Sequence, residues 1–540
     1  MIITGYIVFF AVLLFSFVLN FIHYMHMFQL NSYSAREQLH WIKINFGSVA
    51  LRHFTAVIAA VYPLIFCIGT KMYALGPNGE YTPDETVLVI AMSDLLICAG
   101  ILLIGTAFAR RKKAKKKLVF TPRVIRMCVT STLLYGAVCA LSMIFLFESG
   151  FFLPVLCFWQ VFSLFMPMIA NFINKPIEKG VNNYYINDAK RIINELPNTT
   201  VIGITGSYGK TSTKFYLEKL LSAKYNVLMT PESYNTTMGV VKTVRMSLNA
   251  THEIFLCEMG AKGVGEIKEI CDIVHPKHSI ITSIGEQHLE TFGSVENIIK
   301  TKFEIADCIT DGTVFLNFDN DFIREHKLDK NKITYGLKGG NDYNAYDIKV
   351  SQKGTTFTVS HGEETKTFTT KLLGEHNVQN ILGAIAVAHT FGVSFDELVF
   401  PVKRLEPVPH RMEILDKGNG VTVIDDAFNS NPAGAKAALK TLSGFDALRI
   451  VATPGMIELG EREYELNKEL GENAADCCDI AILVGERQAP PIKEGLLNKG
   501  FPEDRIYVAK DLNDGMKYAY SIQPGKNRVI LLENDLPDNF

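Results

Sequence analysis

Five stretches of mostly apolar residues crowd the first third of the chain, at roughly 4–24, 50–70, 87–108, 126–147 and 152–173. About 20 such residues carry a helix across the hydrocarbon core of a bilayer, where a segment must satisfy its own backbone polar groups. Residues 1–174 are therefore expected to form an all-α transmembrane bundle. The first stretch has no basic segment ahead of it and no clear small-residue cleavage site, so it reads as a retained helix and not a signal peptide. The run Arg110-Arg111-Lys112-Lys113-Ala114-Lys115-Lys116-Lys117 predicts a cytoplasmic loop, and the loop carrying Glu80, Asp84 and Glu85 an external one. Five spans then leave everything after residue 174 in the cytoplasm. Topology alone accounts for the basic run; contact with anionic lipid headgroups is the sharper alternative. His53 and Asp94 read as packed or snorkelling polar groups.

The net charge of -2 conceals a division: residues 1–174 hold 13 Lys and Arg against 6 Asp and Glu, the remainder 41 against 50. An acidic remainder without clustered Lys and Arg argues against nucleic acid as a partner. The ten cysteines show no CxxC spacing, and Cys67, Cys98, Cys128, Cys139 and Cys157 sit in apolar sequence, as buried reduced thiols do. A polar stretch from Asn174 to Asn198, with an amphipathic helix near 188–196, reads as a connector. Beyond it, β-branched runs such as Val201–Thr205 and Ser279–Thr282 alternate with helical patterns. That texture predicts strand-helix units around a largely parallel sheet.

Residues 205–213 read Thr-Gly-Ser-Tyr-Gly-Lys-Thr-Ser-Thr, between one of these strands and a helical run. In such a turn Gly206, Ser207 and Gly209, with Thr211 and Ser212 following, let backbone N–H groups close on phosphate oxygens, and the N-terminus of the helical run over Lys214–Ala223 adds its positive end. Lys210 can then reach the terminal phosphates and the Thr211 hydroxyl can ligate magnesium. Position 204 is Ile where the strict phosphate-loop pattern has Gly. A plain strand-helix turn is the bland alternative.

The form T-G-x-x-G-K-T resembles that of the Mur ligases of peptidoglycan synthesis, and further segments follow in the order of the branch that adds D-alanyl-D-alanine, MurF. These are Asn235–Gly239, Glu258–Ala261 with Gly265–Ile267, Ile281–Gly285 leading to His288–Glu290, Lys300–Lys302, Gly374–Asn380, His410–Glu413 and Val423–Pro432. The resemblance covers roughly 200–485, and Thr453–Gly460 is similar to a loop of the MurF C-terminal domain. It implies an ATP-dependent ligase that joins a carboxylate to an amine through an acyl phosphate. The reaction is governed by positioning and by neutralisation of phosphate charge.

By the same resemblance Lys210, Glu258, His288 and Lys302 are catalytic. Thr211 and Glu258 would hold a first magnesium, and His288 and a carbamylated Lys302 a second. Asn377 and Asn380 would lie near the base, Arg411 toward the phosphates and Asp425 near the ribose, while Asp426 could be a turn residue beside it. The implied organisation is a connector over 175–197, a central ATP-binding domain over 198–402 and a smaller Rossmann-like C-terminal domain over 403–540. Two departures touch substrate recognition: the membrane stretch stands where MurF enzymes carry a soluble UDP-binding domain, and Glu533–Asp538 replaces a Lys-Gly-Ser-Arg segment. A lipid-linked acceptor would suit the anchor. A membrane P-loop ATPase or transporter and a nucleotide-binding scaffold without catalysis are the other readings the sequence leaves open.

Overall fold

The apolar stretches fold as helices. The computed structural model describes residues 2–74, 85–108, 116–146, 151–232, 234–351, 354–416, 420–428, 430–522 and 527–535, with side chains outside 2–6, 63–74, 85–92, 106–108 and 416. The chain forms two compact units, residues 1–182 and 183–536.

In the first unit, Ile7–Leu30 and Pro122–Leu146 are each long and apolar enough to cross a membrane. The expected second and fifth spans lie in bent helix pairs, Ala35–Ile44 with Phe46–Tyr62 at 86° and Phe152–Leu164 with Met166–Asn194 at 68°. The second bend has a local cause: Pro167 has no N–H for the Ser163 carbonyl, and its ring disfavours a continued helix just before it. The expected third span falls on helix Glu85–Phe108, described with side chains from Ser93 to Gly105. Most of the basic run, Arg110 to Lys115, lies outside the described residues, as do Glu80 and Asp84. His53 and Asp94 are packed polar groups: Tyr24 Oη is 2.8 Å from His53 Nε2, and Tyr62 donates to Asp94 at 3.1 Å. Most of the stretch read as a polar connector, up to Asn194, is helical, continuing helix Met166–Asn194. The amphipathic helix expected near 188–196 is the last part of that longer helix, which passes through Pro176 and Gly180.

The second unit carries two sheets. The strands of the first are β1 (Thr200–Thr205), β2 (Val227–Met229), β3 (Ile254–Glu258), β4 (His278–Ile281), β5 (Val314–Asn317), β6 (Lys332–Gly336), β7 (Tyr343–Ser351), β8 (Gly354–His361) and β9 (Glu364–Thr370). Their order is β2-β3-β1-β4-β5-β6-β7-β8-β9, parallel through the β6–β7 pair and antiparallel from β7 to β9. Side chains of β1 alternate: Ile202 and Ile204 enter the core under helices Lys210–Leu221 and Glu375–Thr390, and Val201 the core under Thr237–Ser247 and Glu266–Val274. Such burial is worth about 1.5–3 kcal/mol for each large aliphatic side chain, so both faces of the sheet are fixed in register. The antiparallel tail departs from the expected parallel pattern. Its threonines pair across the strands, Thr356 with Thr369 at 3.3 Å and Thr358 with Thr367 at 3.1 Å.

The second sheet comprises β10 (Glu413–Asp416), β11 (Val421–Asp426), β12 (Leu448–Thr453), β13 (Ile480–Val484), β14 (Ile506–Ala509) and β15 (Arg528–Glu533), ordered β10-β11-β15-β12-β13-β14. Only β10 is antiparallel, and separate apolar cores cover the two faces. The α/β reading of the second unit therefore holds. On one face, helices Glu463–Ala475 and Ala489–Asn498 touch through glycine. A Cβ on Gly471 would lie 2.1 Å from the Ile492 carbonyl oxygen, and one on Gly495 2.0 Å from that of Lys468. Backbone cannot yield there as a side-chain tip would. Gly495→Ala is expected to lower the opening free energy of this helix pair by about 1–3 kcal/mol, measured by hydrogen–deuterium exchange of 463–498.

Candidate active site

Strand order reverses about β1, which has β3 on one side and β4 on the other, and open parallel sheets bind ligands beyond the carboxyl ends of strands at such a point. Residues 206–209 after β1, 259–265 after β3 and 282–288 after β4 leave those ends side by side. Gly206 and Gly209 have φ of 151° and 77°. A Cβ on Gly206 would stand 2.2 Å from Thr282 Oγ1, and one on Gly209 2.4 Å from Asn380 Oδ1. The turn is tied to the loop after β4: Ser207 N donates to Ser283 O at 2.6 Å, Tyr208 N to Ser283 Oγ at 3.1 Å and Gly285 N to Ser207 Oγ at 3.1 Å.

Lys210 opens the following helix and donates to the carbonyls of Gly206 at 2.6 Å and Ser207 at 3.1 Å. Burial lowers its pKa to about 8; Glu258 opposes that shift and Arg411 adds to it. Thr211 donates to Glu258 Oε1 at 3.0 Å, and Arg411, from the loop before β10, donates to Thr211 Oγ1 at 3.3 Å. Ser212 is buried in the same helical turn. The Arg411 guanidinium also stands 4.7 Å from the centre of the Phe428 ring.

Glu258, at the end of β3, is fully buried. Asn235 donates to its Oε1 at 3.0 Å, and the Lys214 ammonium is 3.0 Å from its Oε2, an ion pair without hydrogen-bond alignment. Burial works against ionisation, but Lys214, Lys210 and Asn235 outweigh it and hold the carboxyl below its ordinary range. Lys214 was not among the residues expected from sequence. Its spacing of four from Lys210, which puts both on one face of the helix, was the available signal.

Asn380 lies against the loop, accepting from Thr213 at 3.4 Å. Asn377 does not: its amide accepts from Tyr216 at 2.8 Å and donates to the Leu373 carbonyl at 2.9 Å, inside the packing of two helices. Three residues apart, the two share one face of their helix and both meet helix Lys210–Leu221, Asn380 beside Thr213 near the loop and Asn377 about one turn further in, beside Tyr216. Asp425 accepts from Ala427 N at 3.1 Å, as turn residues do, and its Oδ2 lies 2.8 Å from His410 Nδ1.

His288 and Lys302 are on the far side of the loop after β4. The His288 backbone is left-handed, with φ 54°, and its Nδ1 is hydrogen-bonded to Glu458. Burial lowers the imidazole pKa although Glu458 opposes this, and Glu458 is itself drawn down to about 2, where burial is overcome by His288 and Lys262. Lys302 is buried, and among the described residues no carboxylate comes within ion-pair distance of its Nζ. Burial, and then Lys210, hold the amine well below its usual pKa. His288 and Lys302 are not in direct contact, and among the described residues no three His, Cys, Asp or Glu side chains converge as a metal-binding group. The Thr211 and Glu258 oxygens do fit a hard cation that keeps several waters. A second cation next to His288 fits only if the uncompensated Lys302 amine becomes an anion.

A glycine turn at a helix start, a lysine and hydroxyl on it, a buried carboxylate and an arginine from a second α/β sheet define a nucleotide-binding enzyme with its site shared by two domains. Residues 204–388 match the Mur ligase middle domain and residues 410–533 the Mur ligase glutamate ligase domain. The UDP-N-acetylmuramoyl-tripeptide–D-alanyl-D-alanine ligase of Bacillus subtilis (strain 168) is 33% identical over 322 residues, 59% of this chain and 69% of the relative. Its counterpart in Escherichia coli (strain K12) is 26% identical over 331 residues, 59% of this chain and 73% of the relative. Among solved structures, MurF from Thermotoga maritima in complex with ADP superposes with a TM-score of 0.60 at 27% identity, over 66% of this chain and 80% of that one. MurF from Acinetobacter baumannii gives 0.60 at 26% identity, over 66% and 77%. The chain belongs to the Mur ligase family and is an ATP-dependent ligase.

Behind Arg411, the ends of β11 and β15 bring two acids together in register, Asp426 and Glu533. Burial raises the Asp426 pKa from 3.8 to about 6, with Asp425 adding to the shift and the Met412 N–H and Arg411 opposing it. A carboxyl whose folded pKa is raised keeps its proton longer in the folded state. Its contribution to stability is therefore lost as pH rises from about 4 through about 6. Asp426→Asn is expected to flatten that part of the stability–pH curve and to stabilise the C-terminal sheet at pH 7 by on the order of 2 kcal/mol. Urea denaturation followed by circular dichroism between pH 4 and 8 measures both effects.

Proposed function

We propose that this ligase activates a substrate carboxylate with ATP and joins it to an amine of the D-alanyl-D-alanine type, the activity named in its matched relatives, in building a cell-envelope precursor. The observation that carries the proposal is the Thr211 hydroxyl set between the Glu258 carboxylate and the Arg411 guanidinium, at the end of the phosphate loop. A carboxylate oxygen attacks the γ-phosphorus and ADP leaves, giving an acyl phosphate. The amine then attacks the acyl carbon, loses a proton and displaces phosphate.

Both steps bring negative charges together, so cations decide the rate. Lys210, now held by its own loop, turns to the terminal phosphates, and Arg411 approaches them from the second sheet. The N–H groups of 206–209 and the start of helix Lys210–Leu221 hold the inner phosphates. Asn380 borders the nucleotide and Asp425 accepts from its ribose, whereas Asn377 supports this wall from behind. Thr211 and Glu258 would hold one magnesium, and His288 with a carbamylated Lys302 a second; when bound, these ions neutralise phosphate charge. Lys214 keeps Glu258 ionised in the absence of metal.

The domain division that accompanies this reading is 1–174, a connector over 175–197, a central domain over 198–402 and a C-terminal domain over 403–540. We assign the N-terminal helices to the cell membrane, in contact with membrane lipid, and the catalytic domains to the cytoplasm. Leu133, Ile144 and Phe145 support this, being 69%, 72% and 74% exposed on helix Pro122–Leu146, an outward apolar surface that favours lipid over water. An anchored enzyme gains most from a carboxylate acceptor that is itself lipid-linked, because confinement raises effective concentration.

Lys210→Ala and Glu258→Gln are expected to cut amide formation by about 100-fold or more, with hydrogen exchange of the two sheets unchanged outside the phosphate loop. Loss of that protection would make the defect one of folding. Mass spectrometry of products from membranes, ATP and a panel of amino acids and D-alanyl-D-alanine identifies the amine. Lipid-linked muropeptides should stimulate ATP hydrolysis and soluble UDP-muropeptides should not; stimulation by the soluble nucleotide alone overturns the lipid-linked acceptor.

A further inference from the structure

At the amino ends of β4 and β5, away from the nucleotide loops, the last turns of two helices line an open cleft of about 660 Å³, and two of its side chains are thiols, Cys271 and Cys308. The helices, Glu266–Val274 and Val295–Asp307, each lead into one of these parallel neighbours and so lie side by side in the same sense. Glu304 sets their register: its carboxylate accepts from Gly265 N at 2.6 Å and from Lys268 N at 3.0 Å. Cys271 is three residues past Lys268 and Cys308 four past Glu304, so the two meet about one turn further on. Their thiols are within hydrogen-bonding reach of each other. Cys271 is buried, with its Sγ 3.7 Å from Met259 Sδ, whereas Cys308 is half-buried and opens on the cleft.

An accessible sulfur with thiolate character beside a second thiol is the arrangement that oxidants convert to a disulfide. Cys308 suits the first role and Cys271 the second. The Cys271 thiol, by hydrogen bonding, and then Lys268 draw Cys308 below the usual thiol range against burial and the nearby carboxylates, while the same contact and burial push Cys271 up. We propose that Cys271 and Cys308 form a reversible oxidation site for oxidants of the peroxide class, with Cys308 as the attacking sulfur and Cys271 as the resolving one. The Cys308 sulfur displaces hydroxide from hydrogen peroxide and becomes a sulfenic acid. Cys271 then loses its proton as its sulfur bonds to that of Cys308, and the sulfenic oxygen leaves as water. The pair gives up two electrons and two protons, the peroxide takes them up as it becomes two waters, and a reducing dithiol reverses the change. Neither step needs nucleotide or metal.

The test is hydrogen peroxide treatment of the reduced full chain in detergent, followed by alkylation of the remaining thiols and mass spectrometry of the peptides. The expected product is a peptide pair joined through Cys271 and Cys308, lighter by two hydrogens and separated by dithiothreitol. Cys308 should be consumed at least about tenfold faster than Cys477, another half-buried thiol, which burial and Asp476 push above the usual range. Cys271→Ser should stop Cys308 at the sulfenic acid, trapped with dimedone, and Cys308→Ser should leave Cys271 reduced. Equal rates for Cys308 and Cys477, or oxidised Cys308 without the joined peptide in wild type, overturn the proposal, and so does oxidation of Cys271 in Cys308→Ser. Treatment in urea separates reaction of the fold from reaction of unfolded chains: mixed pairings are expected there, and the same mixture from the native sample overturns the site. The wild-type measurements decide the matter where a serine variant fails to fold.

Discussion

Glu258 is a fully buried carboxylate, and the nucleotide end of the central sheet is arranged around its charge. A carboxylate taken out of water costs several kcal/mol unless charge and hydrogen bonds replace the solvent. Lys214, Asn235 and Thr211 supply them, and each comes from a different requirement of the sheet. Lys214 and Thr211 lie on the helix that follows the phosphate loop, so that helix can start only where it faces the end of β3. Asn235 belongs to the segment ahead of helix Thr237–Ser247, which is drawn to the same point. Strand order, loop and helix start are thereby one solution to the problem of a single buried charge. The same charge partly sustains the ammonium of Lys210, which burial alone would push further toward neutrality.

The second sheet meets this arrangement through ionic side chains. Arg411 extends the Glu258 network by one bond, through Thr211. Glu458 and Arg462 grip the loop after β4, and Lys262 from the loop after β3 closes the circuit. Few large apolar side chains take part in these contacts. Charged contacts of partial exposure contribute little net stability, so a junction built from them can open and close at low energetic cost. That is the property required of a site whose nucleotide must enter and leave while its ligands come from two domains.

How much of this was readable from sequence differs with the range of the interaction. The phosphate loop, its Lys210 and Thr211, and the strand before it are local, so Thr205–Thr213 and the β-branched run ahead of it placed them at once. Glu258, His288 and Arg411 were found because ordered segments resemble a family. Lys214 carried no such label, and only its partner across the sheet shows that it matters. Asn377 and Asn380 look equivalent in the motif and share one helix face, but one turn along it separates the residue beside the loop from the one packed against Tyr216. Glu458 sat in a recognised loop without a role, since its partners His288 and Lys262 are 170 and 196 residues away. The bend before Met166 was signalled by Pro167, but apolar composition alone does not distinguish a straight span from a broken one. The antiparallel tail β7 to β9 was missed because its Thr-rich strands lack the apolar runs by which the others were recognised.

Placement of the helical unit ahead of the central domain bears on which step limits turnover. Mur ligase chemistry requires three reactants to meet in one cleft, and a chain tethered beside a bilayer does not change the supply of ATP or of a soluble amine. It changes only the encounter with a partner that shares the bilayer, by raising that partner's effective concentration. An ionic junction would complement such a tether, if the proposed lipid-linked acceptor holds, because the acceptor would remain near while ADP is exchanged for ATP. On the proposed membrane assignment and lipid-linked acceptor, the apolar helices would serve to retain the slow-diffusing substrate and the charged junction to release the fast-diffusing product.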